Sequence, residues 1–429
     1  MIVRGLRPRS PLQITGQKRH LTCLAIETSC DDTCVALLRQ PTPDSPCEII
    51  SNLTHRSLHL HEQYGGLHPL VSVHSHIQNL SRLIRQTVDA HIRGPDGIKV
   101  DLVAVTRGPG MQGCLAVGMS HARALAAAWG CKYIGVHHMQ AHALTPRLVS
   151  SGKGPEFPYF TLLLSGGHTQ LVHSKSLTDH TVLTDAYISN SLSIGCLFDR
   201  TAKALEVKWD GKMPGAALEK WSWGTDPDPE YPMTEEEAKW KITPPLNKPK
   251  HTSRKGQEFS LTGIEAWLFR LLKRRREAAV AEGLEPQPLE LEEGKGMARA
   301  IQRTAFKHVM TQVLLRLEEV TPTPTSMVVS GGVASNMFLR TYLRQSLDAA
   351  GFKEVQLVFP PVNLCTDNAP MIGWAGMEMW RDGWRMEEAA LQKPKWSLER
   401  LLEEDIDAGG YTRVEPSAGE PAAAGWIHK

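Results

Sequence analysis

The chain has no run of 18 apolar residues, so no segment reads as a membrane-spanning helix and no membrane role is expected. Its eight cysteines include no CxxC pair, which excludes a zinc ribbon. Eight in 429 residues is also far from disulfide density, so a reducing compartment is expected. Net charge is nearly absent: 48 Lys and Arg against 46 Asp and Glu leave +2, so any contact with RNA must come from a local patch. Neither GxGxxG nor GxxxxGKS occurs, which excludes the two common glycine-loop nucleotide folds. Finally, no acidic residue precedes Glu27, while Arg4, Arg7, Arg9, Lys18 and Arg19 do. A basic, acid-free leader without an apolar h-region reads as a mitochondrial transit peptide over residues 1–20, not a secretory signal. The plainer reading is a basic tail.

What is present is an ordinary globular composition, 41% hydrophobic and 22% charged. The length is about three times a typical domain of roughly 150 residues, which predicts two lobes. Leu21–Ile26 reads as a strand that opens into the polar run Glu27–Thr33 and returns over Val35–Leu38, a hairpin. Gln40–Glu48 reads as a loop, Asn79–His91 as a helix, Leu102–Val105 as a strand, and Leu115–Trp129 as a helix capped by Gly130. Tyr133–Val136 reads as a strand, and Ser151–Pro158 as a linker. Tyr159–Leu164 then repeats the first pattern, turning through Ser165–Thr169 into Gln170–Val172. Trp209–Gln257 reads as an irregular insertion, and Gly296–Val320 as a long helix. Ser326–Val329 is a strand before a helix from Met337, and another helix starts at Ala369. Alternating strands and helices imply an α/β protein.

Three features carry chemistry. His138 and His142, at i and i+4, share one helix face and can hold one metal; an isolated pair of this kind is more often structural. Met139 stands where a zinc protease needs its glutamate base, so that chemistry is disfavoured. Asp367 is the candidate oxygen ligand, or alternatively the N-cap of the helix from Ala369. Ser165-Gly166-Gly167 and Ser330-Gly331-Gly332 both follow apolar strands, and glycines let backbone N–H groups approach an anion closely. Lys248–Lys255 and Lys273–Arg276 are basic clusters, readable as RNA phosphate contacts or as solvated faces.

Taken in order, Glu27-Thr28-Ser29-Cys30-Asp31, His138-xxx-His142, Ser165–Gln170, Ser330–Asn336 and Cys365-Thr366-Asp367-Asn368 resemble the tRNA N6-adenosine threonylcarbamoyltransferases, over about residues 21–400. The basic leader is similar to that of the mitochondrial, stand-alone branch. The resemblance implies an actin/hexokinase-like fold of two lobes around a cleft: lobe I over 21–150, lobe II over 151–360 with its insertion near 209–257, a return to lobe I over 361–400, and a tail over 401–429. It implies transfer of threonylcarbamoyl from threonylcarbamoyl-AMP, supplied by a separate synthase, to N6 of the adenosine beside the anticodon. The location implied is the mitochondrial matrix, and the state a homodimer.

By the same resemblance His138, His142 and Asp367 would hold one divalent ion, zinc or iron. Leu163, Leu164, Ser165, Gly166 and Gly167 would line the donor, Asp199 and Glu219 would hold ribose hydroxyls with Gly215 beside them, and Ser335 and Asn336 would flank the adenosine. Asp32 would orient or deprotonate the attacking amine. The chain departs from the family pattern in three places. Ser191–Cys196 replaces an acid-rich run, Gln140 stands where many members have Glu, and Leu67–His76 is altered. The alternatives are a nucleotide-binding scaffold without catalysis and a sugar-kinase-like phosphotransferase.

Overall fold

A computed structural model describes residues 20–414, apart from 65, 96, 151–152, 187–190, 210, 226, 229, 244–257 and 404–408. The leader over 1–19, most of the tail and the basic cluster Lys248–Lys255 therefore lie outside the described residues.

The N-terminal sheet contains β1 (Leu21–Glu27), β2 (Thr33–Gln40), β3 (Glu48–His55), β4 (Leu102–Gly108) and β5 (Lys132–His137), in the order β3-β2-β1-β4-β5. β1, β2 and β3 form an antiparallel meander, while β4 and β5 run parallel to β1. The second sheet contains β6 (Tyr159–Leu164), β7 (Thr169–Ser174), β8 (His180–Asp185), β9 (Ser326–Ser330) and β10 (Gln356–Val358), in the order β10-β9-β6-β7-β8. Its antiparallel meander is β6, β7 and β8, and β9 and β10 run parallel to β6. Read from the opposite edge, the second order is the first. The short repeat legible in the sequence is thus part of a five-strand duplication, the actin/hexokinase-like architecture. β1 and β6 are central in their sheets and buried on both faces, which explains their continuous apolar runs.

Helices α1 (Leu58–Glu62), α2 (Pro69–Thr87), α3 (Gln112–Trp129) and α4 (His138–Val149) accompany the first sheet. α2 starts ten residues earlier than the apolar spacing alone predicts, because Pro69 suits its first turn while Leu70 faces solvent. Gly130 takes the left-handed conformation at the end of α3, as expected. The second sheet carries α5 (Ile194–Ala204), α6 (Pro214–Trp223), α7 (Glu235–Ala238), α8 (Thr262–Ala281), α9 (Leu291–Glu319) and α10 (Met337–Ala349). The insertion near 209–257 is not irregular throughout. α6 and α7 lie within it, packed by aromatic contacts such as Trp223 against Tyr231 and Phe338.

After α11 (Val362–Cys365), α12 (Ala369–Arg381) lies across the first sheet. Gly373 and Gly376 permit that approach: an added Cβ would come within 2.6 Å of Leu38 or 2.7 Å of Ala104. The carboxyl ends of β1, β5, β6 and β9 converge on one cleft, the region where open α/β sheets bind ligands.

Candidate metal and nucleotide site

His138 and His142 follow directly from the end of β5, on the first two turns of α4. His137 caps that helix by accepting from the Met139 N–H at 3.2 Å. The two imidazoles turn their Nε2 atoms to one oxygen: Asp367 Oδ1 lies 3.4 Å from His138 and 3.2 Å from His142. One ligand atom from each of the three lies within 4.8 Å of the others. Asp367 does not cap α12. Asn368 does, accepting from the Met371 N–H at 2.9 Å and donating to Leu364 and Thr366 carbonyls. The cap is supplied by the next residue, which leaves the Asp367 carboxylate for the histidines.

Behind the pair sit partners that sequence reasoning missed. Glu27 ends β1, is 1% exposed, and accepts at Oε2 3.2 Å from His138 Nδ1, with the Ser29 hydroxyl 3.3 Å from the same nitrogen. Thr106 donates to the same carboxylate, and the Ser29 N–H donates to its other oxygen. Ser330, at the end of β9, lies 3.4 Å from His142 Nδ1. Both Nδ1 atoms are therefore occupied from behind, an arrangement that fixes the ring orientation of metal-binding histidines. The available signal was a glutamate closing a strand that is apolar but for Thr22.

One buried and one half-buried carboxylate facing two imidazoles make a site short of positive charge. Burial pushes the His138 imidazolium toward losing its proton, but Asp367 and Glu27 outweigh it and hold it up at about 10. Burial works against the Asp367 carboxylate, yet the two histidines keep it well below the usual carboxylate range. The arrangement is short of a cation, and its N, N, O donor set fits a divalent ion of the zinc or iron kind.

Asp32 lies at the tip of the β1–β2 hairpin, 3.8 Å from Arg56. Burial and the neighbouring Asp31 and Asp367 push its carboxyl up to about 8. His76 braces this hairpin, with Thr33 Oγ1 2.8 Å from its Nδ1 and the Cys30 carbonyl 3.0 Å from its Nε2.

On the second lobe the Leu163 and Leu164 side chains are buried in the core, so only their backbone is available to a ligand. Ser165 closes the β6–β7 turn through its hydroxyl and the His168 N–H, 3.0 Å apart. Gly166 and Gly167 are exposed at the tip, where a Cβ would meet nothing within 4 Å, so their small size serves no packing inside the chain. Ser193, in the run that lacks the family's acids, caps α5 at Cys196 and donates to the Gly166 carbonyl. Ser191 accepts from the Leu261 N–H at 2.8 Å. These serines hold the turn and α5 by hydrogen bonds, without charge. Gln140 donates to Leu177 O at 2.8 Å, away from the histidines.

Asp199 accepts from the Gly215 N–H at 2.7 Å, and Glu219 accepts from the Met337 N–H at 2.9 Å. Burial raises both carboxyls, Asp199 to about 6. Asn336 caps α10 at Leu339, and Ser335 donates to the Gly332 carbonyl at 2.7 Å. The corner of α5, α6 and α10 thus gathers Asp199, Gly215, Glu219 and Asn336.

Residues 48–374 match the family model described as tRNA N6-adenosine threonylcarbamoyltransferase. A mitochondrial tRNA N6-adenosine threonylcarbamoyltransferase of Schizosaccharomyces pombe is 37% identical over 394 residues, 90% of this chain and 88% of its own. The tRNA N6-adenosine threonylcarbamoyltransferase of Bartonella henselae is 33% identical over 391 residues, 88% of this chain and 95% of its own. Among solved structures, T. kodakarensis HypF covers 84% of this chain and 47% of its own at 13% identity, with a TM-score of 0.48. The histidine pair, the glycine turns and the ordered motifs on duplicated sheets therefore sit in a chain matched along nearly its whole length, and this chain belongs to the tRNA N6-adenosine threonylcarbamoyltransferase family.

Proposed function

We propose that this chain transfers the threonylcarbamoyl group of threonylcarbamoyl-AMP to N6 of the adenosine next to the anticodon, in mitochondrial tRNAs that read codons starting with A. The convergence of His138, His142 and Asp367 at the strand ends of a chain of this family carries the reading. The amine nitrogen bonds to the carbamoyl carbon, the bond from that carbon to the phosphate oxygen breaks, and AMP leaves with the electron pair. The nitrogen gives up one proton.

His138, His142 and Asp367 would hold one divalent ion, and such an ion supplies Lewis acidity toward the donor's oxygens. Glu27 and Ser330 orient the two imidazoles from behind. Gly166 and Gly167 admit the donor close to the backbone, and Asp199 and Glu219 accept hydrogen bonds from its ribose. Asp32, raised by burial and its acidic neighbours, titrates near neutral pH, which suits a group that takes the amine proton. The donor comes from a separate synthase, and two copies of the chain act as a homodimer. Residues 1–20 direct import to the matrix, a reading supported by the relative whose name is mitochondrial. A reporter carrying residues 1–30 should enter mitochondria, and a uniform cytosolic signal counts against import.

The test is incubation with unmodified tRNA, threonine, bicarbonate, ATP and a threonylcarbamoyl-AMP synthase, followed by mass spectrometry of the nucleosides. Threonylcarbamoyladenosine is expected with the wild type and not with His138→Ala, whose metal content falls while its fold persists. Full transfer by metal-free His138→Ala removes the metal from the reading. No product with any tRNA removes the reading itself.

A further inference from the structure

A cavity of about 550 Å³ opens between the end of α1 and the connection from α5 to α6. Its wall includes Glu62 from the first lobe and Lys203, Glu206, Lys208, Trp209 and Gly211 from the second. None of these residues has a part in the transfer chemistry above. Lys203 lies one helical turn beyond Asp199, so the cavity continues the line of α5 outward from the ribose-side carboxylate. The Lys203 ammonium is 5.8 Å from the centre of the Trp209 ring and reaches across to the first lobe, where a Cβ on Gly66 would come within 2.9 Å of it.

The loop is shaped to present these groups. Glu206 follows the end of α5 with φ of 54°, a left-handed conformation that a non-glycine residue seldom takes. The turn sends Val207 into the core, through its N–H to the Ala202 carbonyl at 2.9 Å, and leaves Lys208 and Trp209 on the outside. The left-handed turn is the ordinary stop of α5, with the Glu206 N–H on the Lys203 carbonyl at 3.1 Å, and it turns the chain so that the cavity groups follow directly. Among the described residues Lys203, Lys208, Glu62 and Glu206 form no ion pairs.

Two ammonium groups, two carboxylates and a half-buried indole do not suit an inorganic anion or a cation. They suit one nucleotide. The indole offers a face for base stacking, the lysines offer charge for phosphate, and the carboxylates accept from a base amine or a ribose hydroxyl. The volume lies within the range of small-ligand sites. A strand that puts one base into the cleft carries its neighbours past this mouth. We propose that the cavity holds a nucleotide flanking the target adenosine of the tRNA, stacked on Trp209 and steadied by Lys203 and Lys208. The inference rests on tRNA as the substrate. It assigns Trp209 a positioning role.

The experiment compares wild type, Trp209→Ala and Trp209→Phe on unmodified tRNA and on the same tRNA with each neighbour of the target adenosine made abasic in turn. Trp209→Ala should raise the tRNA KM and Kd by about fivefold or more, with the donor KM and metal content unchanged. Trp209→Phe should restore binding to within about twofold, since it keeps an aromatic face. One abasic position should weaken the wild type by a similar factor and Trp209→Ala no further, the signature of a direct pair. Wild-type tRNA affinity in Trp209→Ala, or an effect confined to the donor KM, overturns the inference and leaves the transferase reading intact. Absence of any tRNA binding or modification by the wild type overturns both.

Discussion

At the scale of single residues, the chemistry depends on carboxylates kept where water would otherwise solvate them. Glu27 is the clearest case, since its one negative charge is set against the imidazole of His138 and satisfied by Thr106 and Ser29. Glu27→Gln keeps the shape and removes the charge, and metal affinity should fall by about 10- to 100-fold, measured by competition with a chelator. Transfer should fall with it unless metal is supplied in excess. Asp199 works in the other direction. Burial raises its carboxyl to about 6, above the ordinary value, so the folded chain holds a proton between about pH 4 and 6 that the unfolded chain has lost. Stability should therefore decline as pH rises through that window. Asp199→Asn, which still accepts from Gly215, should be more stable than wild type at pH 7 by up to about 3 kcal/mol, with the gain vanishing below about pH 4. Urea unfolding across that range checks it, and an unchanged difference at every pH rejects the assignment.

At the scale of elements, the two polar turns do different work although their sequences look alike. The β6–β7 turn holds Gly166 and Gly167 open to the cleft, whereas Gly331 after β9 serves the fold itself. Its φ is 96°, and a Cβ there would lie 2.4 Å from the Leu164 carbonyl oxygen, at the end of β6. Gly331→Ala should destabilise the chain by about 1–3 kcal/mol and shift Ser330 away from His142, so that the denaturation midpoint and metal affinity fall together. Gly166→Ala meets no atom within the chain, and should leave the midpoint unchanged. The third strand of each meander, β3 and β8, is poorly marked in sequence. β3 is largely exposed and polar, with Glu48, Ser51, Asn52 and His55 among its residues, and β8 is a mix of Thr, His and Asp with Val and Leu. Edge strands with one wet face do not show the long apolar runs of β1 and β6.

At the scale of the whole molecule, a nearly neutral chain acts on a polyanion, so its electrostatics must be local. Lys273, Arg274, Arg275 and Arg276 are exposed on α8, and only Ile264 and Leu268 of that helix are buried. Lys273 lies 3.7 Å from Glu277 and Arg275 2.6 Å from Glu293, so Arg274 and Arg276 are the less neutralised pair. Changing Lys250, Arg254, Lys273 and Arg274 to Glu should weaken tRNA binding and flatten its salt dependence, because each lost phosphate contact lowers the slope by about one. Metal content and hydrolysis of the free donor should not change. Wild-type affinity and slope in the quadruple variant would make these residues a solvated face.

The sequence by itself determined the local pieces. Apolar runs marked β1 and β6, each ending in a polar turn, and the spacing of His138 and His142 put two imidazoles on one helix face. Ser-Gly-Gly after a strand marked a turn, twice. These are legible because strand alternation, helical period and turn chemistry act over a few residues. The tertiary structure decided what those pieces meet. Local pattern left Asp367 open between capping α12 and joining the histidines, and the packing of α12 on the first sheet gave the cap to Asn368 and the carboxylate to His142, 225 residues away. Glu27 reached His138 across 111 residues for the same reason. Such pairs form only when β1 and β5 have joined through β4 in one sheet and α12 has packed on it, and no short-range pattern carries the distance between them.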